Sequence, residues 1–146
     1  MNTTCNGSSL GLLFRQVRDA MWARMERELA AIGHDLNFSQ YVTLKTLALG
    51  PAGMTELAHA AYLHPGAMTR LLDKLVERGL VGREATPNDR RGVQVQLTPA
   101  GQALWLDISP CAQRVHDQAT AHMSESERAE LTRLLMQVRD NLAVEG

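Results

Sequence analysis

The chain has 146 residues, 45% of them hydrophobic and 21% charged, which is the size and balance of one folded domain. Its 15 Lys and Arg stand against 16 Asp and Glu, a net charge of −1, which excludes an acidic disordered chain and a wholly basic coat, so any polyanion site must be local. Two cysteines, Cys5 and Cys111, lack CxxC spacing, and no apolar run approaches the ~20 residues of a bilayer span, so the reading is a cytoplasmic protein with reduced thiols and no anchor.

From Leu10 onward, Leu10, Leu13, Phe14, Val17, Met21, Met25, Leu29 and Ile32 recur at steps of three and four, one stripe along a long first helix. Leu12 and Trp22 lie off that stripe, which predicts a second covered surface. Asn37 and Gln40 have capping-box spacing and open a second helix with Tyr41, Leu44, Leu47 and Ala48 inward, ending before a Gly50-Pro51-Ala52-Gly53 turn. Thr55 is expected to cap a short third helix carrying Leu57, Ala58 and Ala61. Pro65 suits the first position of a fourth, with Met68, Leu71, Leu72, Leu75 and Val76 buried and Gly79 ending it. Two short helices joined by a tight turn read as helix-turn-helix.

The period then changes. Leu80 to Ala85 is expected to pair with the alternating run Val93-Gln94-Val95-Gln96-Leu97 across a polar tip, Pro87-Asn88-Asp89-Arg90-Arg91-Gly92. Thr98 and Pro99 then open a fifth helix bearing Leu104, Ile108, Ala112, Val115 and Ala119, which Pro110 is expected to bend. Ser124 and Glu127 form another capping box before Leu131, Leu134, Leu135, Val138 and Leu142. The expected fold class is mainly α with a small β-hairpin wing, six helices with the hairpin after the fourth.

Only residues 63–98 carry a positive surplus, with six basic groups (Arg70, Lys74, Arg78, Arg83, Arg90, Arg91) against four acidic ones. A helix entering the ~12 Å wide major groove of DNA must present small or hydrogen-bonding residues on its first turns, with basic residues nearby for phosphates. Pro65, Gly66, Ala67, Thr69, Arg70 and Lys74 supply that pattern, with Thr69 and Arg70 as readers of bases. On the hairpin tip, Arg90 and Arg91 suit a narrow minor groove whose negative potential attracts guanidinium groups, and Asp89 can orient Arg91 by a paired hydrogen bond.

Taken as a set, Leu57-Ala58, Met68-Thr69-Arg70-Leu71-Leu72-Asp73-Lys74-Leu75, Arg78-Gly79-Leu80-Val81, Asp89-Arg90-Arg91 and Leu97-Thr98-Pro99-Ala100-Gly101 resemble the MarR family of bacterial winged-helix transcription regulators. The likeness is close over residues 36 to 104, and the flanking helices agree in order and length. It implies one MarR-type domain over 1–146, with a DNA-binding lobe at 36–98 and dimerisation helices at 10–35 and 99–146. The implied partner is double-stranded operator DNA of pseudo-palindromic sequence, bound by a homodimer acting as a repressor. Leu10, Leu13, Phe14, Val17, Leu131, Leu135, Val138 and Leu142 would form the dimer face; the helix from Pro65 to Arg78 would enter the major groove, and Arg91, beside Asp89, the minor groove. One departure is that His64, Gly66 and Ala67 stand where members commonly carry Ser or Thr, which shifts readout onto Thr69, Arg70 and backbone N–H groups.

The resemblance also implies a small aromatic or amphipathic effector bound between the dimerisation helices and the lobe. Trp22, Phe38, Tyr41 and Trp105 are the candidates to line such a site, and Arg15 to meet a carboxylate. Thiol sensing through Cys5 or Cys111, and a winged helix that binds protein instead of DNA, are the alternatives. No GxSxG, HExxH or glycine-rich phosphate loop occurs and the five histidines form no HxxxH pair, so neither an enzyme, a cofactor nor a metal site is expected.

Overall fold

The computed structural model describes residues 7–85 and 92–143, which divide into two compact units meeting between Ala112 and Gln113. The elements in order are α1 (Gly7–Ala31), α2 (Phe38–Ala48), β1 (Ala52–Gly53), α3 (Met54–Ala61), α4 (Pro65–Glu77), β2 (Val81–Ala85), β3 (Val93–Leu97), α5 (Pro99–Ala119) and α6 (Glu125–Ala143). The protein is mainly α with a small wing. Among the described residues, no helix is long and apolar enough to cross a membrane.

In the first unit the fully buried apolar side chains come from helices and sheet together: Leu29 of α1, Leu44 of α2, Leu57 of α3, Met68, Leu72 and Leu75 of α4, Val95 of β3 and Ile108 of α5. Each such side chain contributes about 1.5 to 3 kcal/mol on burial, so the lobe is held by its α-helical stripes and not by surface charge. Local chemistry fixes the ends. Asn37 Oδ1 accepts from the Gln40 N–H at 2.8 Å while the Asn37 N–H donates to Gln40 Oε1 at 3.0 Å, the expected capping box of α2. Gly79, at φ +75°, adopts the left-handed turn that ends α4 and lets the Leu80 N–H reach the Leu75 carbonyl at 2.9 Å.

Several expectations need correction. The Gly50–Gly53 segment is more than a turn: Ala52 and Gly53 form β1, pairing antiparallel with Val95 and Gln94, so the sheet has three strands in the order β1-β3-β2. Two residues are too few to show an alternating pattern, yet they cover the β3 edge that a bare hairpin would leave unpaired. Thr55 does not cap α3, because the strand runs straight into the helix with extended Gly53 at the N-cap and no side-chain bond there. Ala48 and Val76 are exposed, since Leu44, Leu47, Leu72 and Leu75 fill the inward face and the next position turns ~100° away. Strand β2 starts at Val81 because the Leu80 N–H is taken by the Leu75 carbonyl at the end of α4, 2.9 Å away. The first helix ends at Ala31, leaving Ile32 in a turn with Gly33 at φ +82°.

The stripe of α1 divides in two: Met25 and Leu29 are buried, whereas Leu10, Leu13, Phe14, Val17 and Met21 are exposed. Helix α5 runs on through Pro110, and the Leu106 carbonyl that loses its helical donor belongs to an exposed residue, open to water.

In the second unit the end of α5 turns through left-handed His122 (φ 67°) into α6. The second capping box is present, the Ser124 N–H donating to Glu127 Oε1 at 2.8 Å and the Glu127 N–H to Ser124 Oγ at 3.1 Å. No residue of α6 is buried: Leu131, Leu134, Leu135 and Leu142 are exposed and Val138 is half-exposed.

Candidate nucleic-acid interface

Between α3 and α4 the chain turns at Tyr62, whose backbone is left-handed (φ 55°, ψ 43°) and whose side chain is 89% exposed. The Leu63 N–H closes the turn on the Ala58 carbonyl at 2.9 Å, extended His64 is the N-cap of α4, and Pro65 is its first residue. The His64 side chain makes no capping bond. The first-turn N–H groups of Gly66 and Ala67 therefore point out of the helix end without a side-chain acceptor, the positive end of its dipole.

Opposite the buried Met68, Leu72 and Leu75, α4 presents Gly66, Thr69, Arg70, Asp73 and Lys74, all exposed, with Ala67 half-buried at the edge. Thr69 Oγ1 donates to the Pro65 carbonyl at 3.0 Å, which occupies its proton and leaves its lone pairs to accept. Asp73 pairs with Arg83 of β2. On the wing, Gln96 Nε2 donates to Glu84 Oε2 at 3.2 Å. Asp89, Arg90 and Arg91 lie outside the described residues.

The wing is rooted in one joint. Thr98 donates from its N–H to the Leu80 carbonyl (3.0 Å) and from Oγ1 to the Gly79 carbonyl (2.6 Å), while Oγ1 accepts from the Gly101 N–H (3.1 Å). The end of α4, the foot of β2 and the start of α5 thus share a single threonine.

A second group lies away from that face. Trp22 of α1 meets Phe38 edge-on, with ring centroids 5.3 Å apart, and lies 5.8 Å from Tyr41 of α2, whose ring is 5.9 Å from Trp105 of α5. Burial, and secondarily the nearby Cys111 thiol, raise the pKa of Tyr41 above its ordinary 10.0, so its hydroxyl stays neutral. Trp105 also lines an open groove of about 490 Å³ with Leu47 to Pro51, Gln96, Leu97, Gln102 and Leu106. Arg15 does not join the aromatic residues; exposed on α1, it sits 3.8 Å from Asp19. Among the described residues no three His, Cys, Asp or Glu side chains are placed to share a metal ion.

Sequence reasoning missed the Asp73–Arg83 pair, the Thr98–Gly79 bond and the groove at Trp105. A signal existed for the first: opposite charges ten positions apart, on either side of the helix-ending Gly79, belong to segments that must fold back on each other.

The MarR family model matches residues 36–93. The multiple antibiotic resistance protein MarR of Salmonella typhimurium is 34% identical over 109 residues, covering 71% of this chain and 74% of that protein. The transcriptional repressor NicR of Pseudomonas putida is 32% identical over 103 residues, 70% of this chain and 65% of its own length. Among solved structures, a mutant MarR of E. coli complexed with operator DNA superposes with a TM-score of 0.76 at 29% identity, covering 94% of this chain and 99% of that one. With the helix-turn-helix, the wing and these likenesses in hand, the chain belongs to the MarR family of DNA-binding transcription regulators, proteins that are not enzymes.

Proposed function

We propose that the protein is a homodimeric repressor that grips a pseudo-palindromic operator, one winged lobe (residues 36–98) per half-site, and acts in the cytoplasm by occluding a promoter. The observation that carries this reading is the face of α4: a basic and hydrogen-bonding row set opposite the core, on a helix whose N-terminus has no side-chain cap. The E. coli MarR bound to operator DNA supports it. In this reading Pro65, Gly66 and Ala67 bring the backbone close to the duplex, Thr69 and Arg70 read bases, Lys74 holds phosphate, and Arg90 together with Arg91, the latter oriented by Asp89, takes the minor groove.

The dimer face is assigned to the exposed halves of the terminal stripes, Leu10, Leu13, Phe14 and Val17 of α1 with Leu131, Leu135, Val138 and Leu142 of α6. So much apolar surface on helices left bare in a single chain exceeds what monomers usually expose. Residues 10–35 and 99–146 then serve dimerisation within one MarR-type domain.

A small aromatic or amphipathic effector is the second element of the proposal. Trp22, Phe38 and Tyr41 already pack on one another, so the open site is the groove beyond Trp105, of a size suited to a drug-like molecule and connected to them through the Tyr41–Trp105 contact. Thiol sensing through Cys111 is the weaker reading, because that thiol is fully buried; Cys5 lies outside the described residues.

Selection of bound sequences from random duplexes tests the function. Enrichment of an inverted repeat with half-sites about one helical turn apart is expected, with binding that falls steeply as salt rises. No enrichment, or binding indifferent to salt, overturns it.

A further inference from the structure

We propose that Asp73 and Arg83 form a positioning pair that fixes the wing against the recognition helix, so that the Asp73 carboxylate promotes DNA binding from within a surface that meets a polyanion. The inference rests on α4 and the wing being the DNA-contacting elements.

The connection from α4 to β2 is only Arg78-Gly79-Leu80, and it turns at left-handed Gly79. The Thr98 joint secures the foot of the strand but nothing beyond it. Arg83 is the third residue of β2, paired across to Val95, and its guanidinium reaches back to Asp73 on the outer row of α4. β1 holds the β3 side of the wing at Val95 and Gln94, and the Arg83–Asp73 tie adds a lateral hold of the β2 side against α4 that neither that pairing nor the root bonds supply. The tie also decides what Asp73 does on its own helix. Arg70 and Lys74 lie three positions before it and one after, and with the carboxylate engaged by Arg83, Arg70 is left facing outward.

Charge counting and positioning predict opposite signs. Asp73→Asn removes one negative charge from the DNA-facing row, so an electrostatic role alone makes operator binding tighter. Loss of the tie makes it weaker, by about 2- to 30-fold, the range over which such coupling contacts act. Arg83→Gln separates a tie from a phosphate ligand, because losing a phosphate contact lowers the slope of log K against log salt by about 0.9, whereas losing the tie weakens binding with the slope unchanged. The double variant should be no weaker than the weaker single one, since both remove the same interaction. Both side chains are substantially exposed, so melting temperatures should stay near that of the original protein.

The experiment is a salt series of operator binding for the full chain, the two single variants and the double variant. Weaker binding by both singles, with an unchanged slope and no further loss in the double, supports the tie. Unchanged or tighter binding by Asp73→Asn, a slope lowered by about 0.9 for Arg83→Gln, or additive losses in the double overturns it while leaving the DNA reading standing. If the unsubstituted protein binds no duplex, the DNA reading itself has failed.

Discussion

Gly101 lies so close to Leu80 that a Cβ on it would come 2.0 Å from the Leu80 carbonyl oxygen and 3.2 Å from the Leu97 side chain. That carbonyl cannot retreat freely, because it already accepts the Thr98 N–H at 3.0 Å. The first turn of α5 therefore packs directly on the backbone at the wing root, and only glycine leaves room. Gly101→Ala should destabilise the protein by about 2 kcal/mol, a fall of roughly 4 to 8 °C in melting temperature for a chain of this length. Gly11→Ala is the control, since nothing lies within 4 Å of its Cβ position and alanine is the better helix former by up to about 1 kcal/mol. If Gly101→Ala melts at or above the original temperature, the close approach is not real.

The start of α6 should respond to acid. Glu127 has its pKa lowered below the ordinary 4.5, first by the hydrogen bond from the Ser124 backbone N–H and then by the Ser124 side chain. A carboxylate depressed on folding adds stability above its unfolded pKa, and that increment is lost as pH falls through the folded value, below 4.5. Ser124→Ala removes the side-chain donor but keeps the backbone one, so the Glu127 pKa should rise only partway, read from its carboxyl carbon shift during an NMR titration. A full return to the ordinary value would mean that the side chain, not the backbone, holds the carboxylate.

How much of this could be read from residue order follows from the range of the interactions. Helices α2, α4, α5 and α6 announce themselves through caps and stripes, Asn37 with Gln40, Pro65, Thr98 with Pro99, and Ser124 with Glu127, all within a turn of one another. The Trp22–Tyr41 contact was legible because a tryptophan off the main stripe needs a second neighbour. Strand β1 was not legible, since Ala52 and Gly53 become a strand only when β3, some 40 residues later, offers its edge. Likewise the cap at Thr55 failed because Gly53 is held by that pairing, and the partner of Asp73 emerges only when the wing folds back on α4. Residue types nominate the exposed row of α4 as the candidate DNA face, whereas the geometry that aims it is tertiary.

If the exposed stripes form the dimer face, sedimentation at micromolar concentration should give about twice the 16.1 kDa of one chain. Leu135, 43% exposed in the single chain, would be buried in the dimer, and Leu135→Asp would place an unpaired carboxylate there. That variant should shift the population to monomer and lower operator affinity, since each lobe then binds a half-site alone. A dimer that withstands Leu135→Asp and also Val138→Asp would remove α6 from the interface.

The groove beside Trp105 yields the last prediction. Its wall is apolar along Leu47, Leu49, Leu97 and Leu106, with Gln96 and Gln102 as the polar groups, which suits a phenol better than a charged sugar or phosphate. Gln96 belongs to the wing strand β3 and donates to Glu84, while Trp105 stands on α5 against Tyr41. A ligand held by Gln96 and Trp105 therefore bears at once on the wing and on the helix that anchors it. Binding that favours a wing angle unsuited to the operator lowers DNA affinity by the usual span of such couplings, about 5- to 150-fold. Titration with substituted phenols, following tryptophan emission and operator release together, should show both in the original protein. Trp105→Phe should remove most of the emission change, and Gln96→Leu should weaken the phenol and its effect on DNA together. Trp22→Phe should preserve both responses, because the Trp22 ring packs on Phe38 and Tyr41 and lines no part of the groove. Loss of the response in Trp22→Phe, with Trp105→Phe unaffected, would move the effector to the packed aromatic cluster and away from the groove.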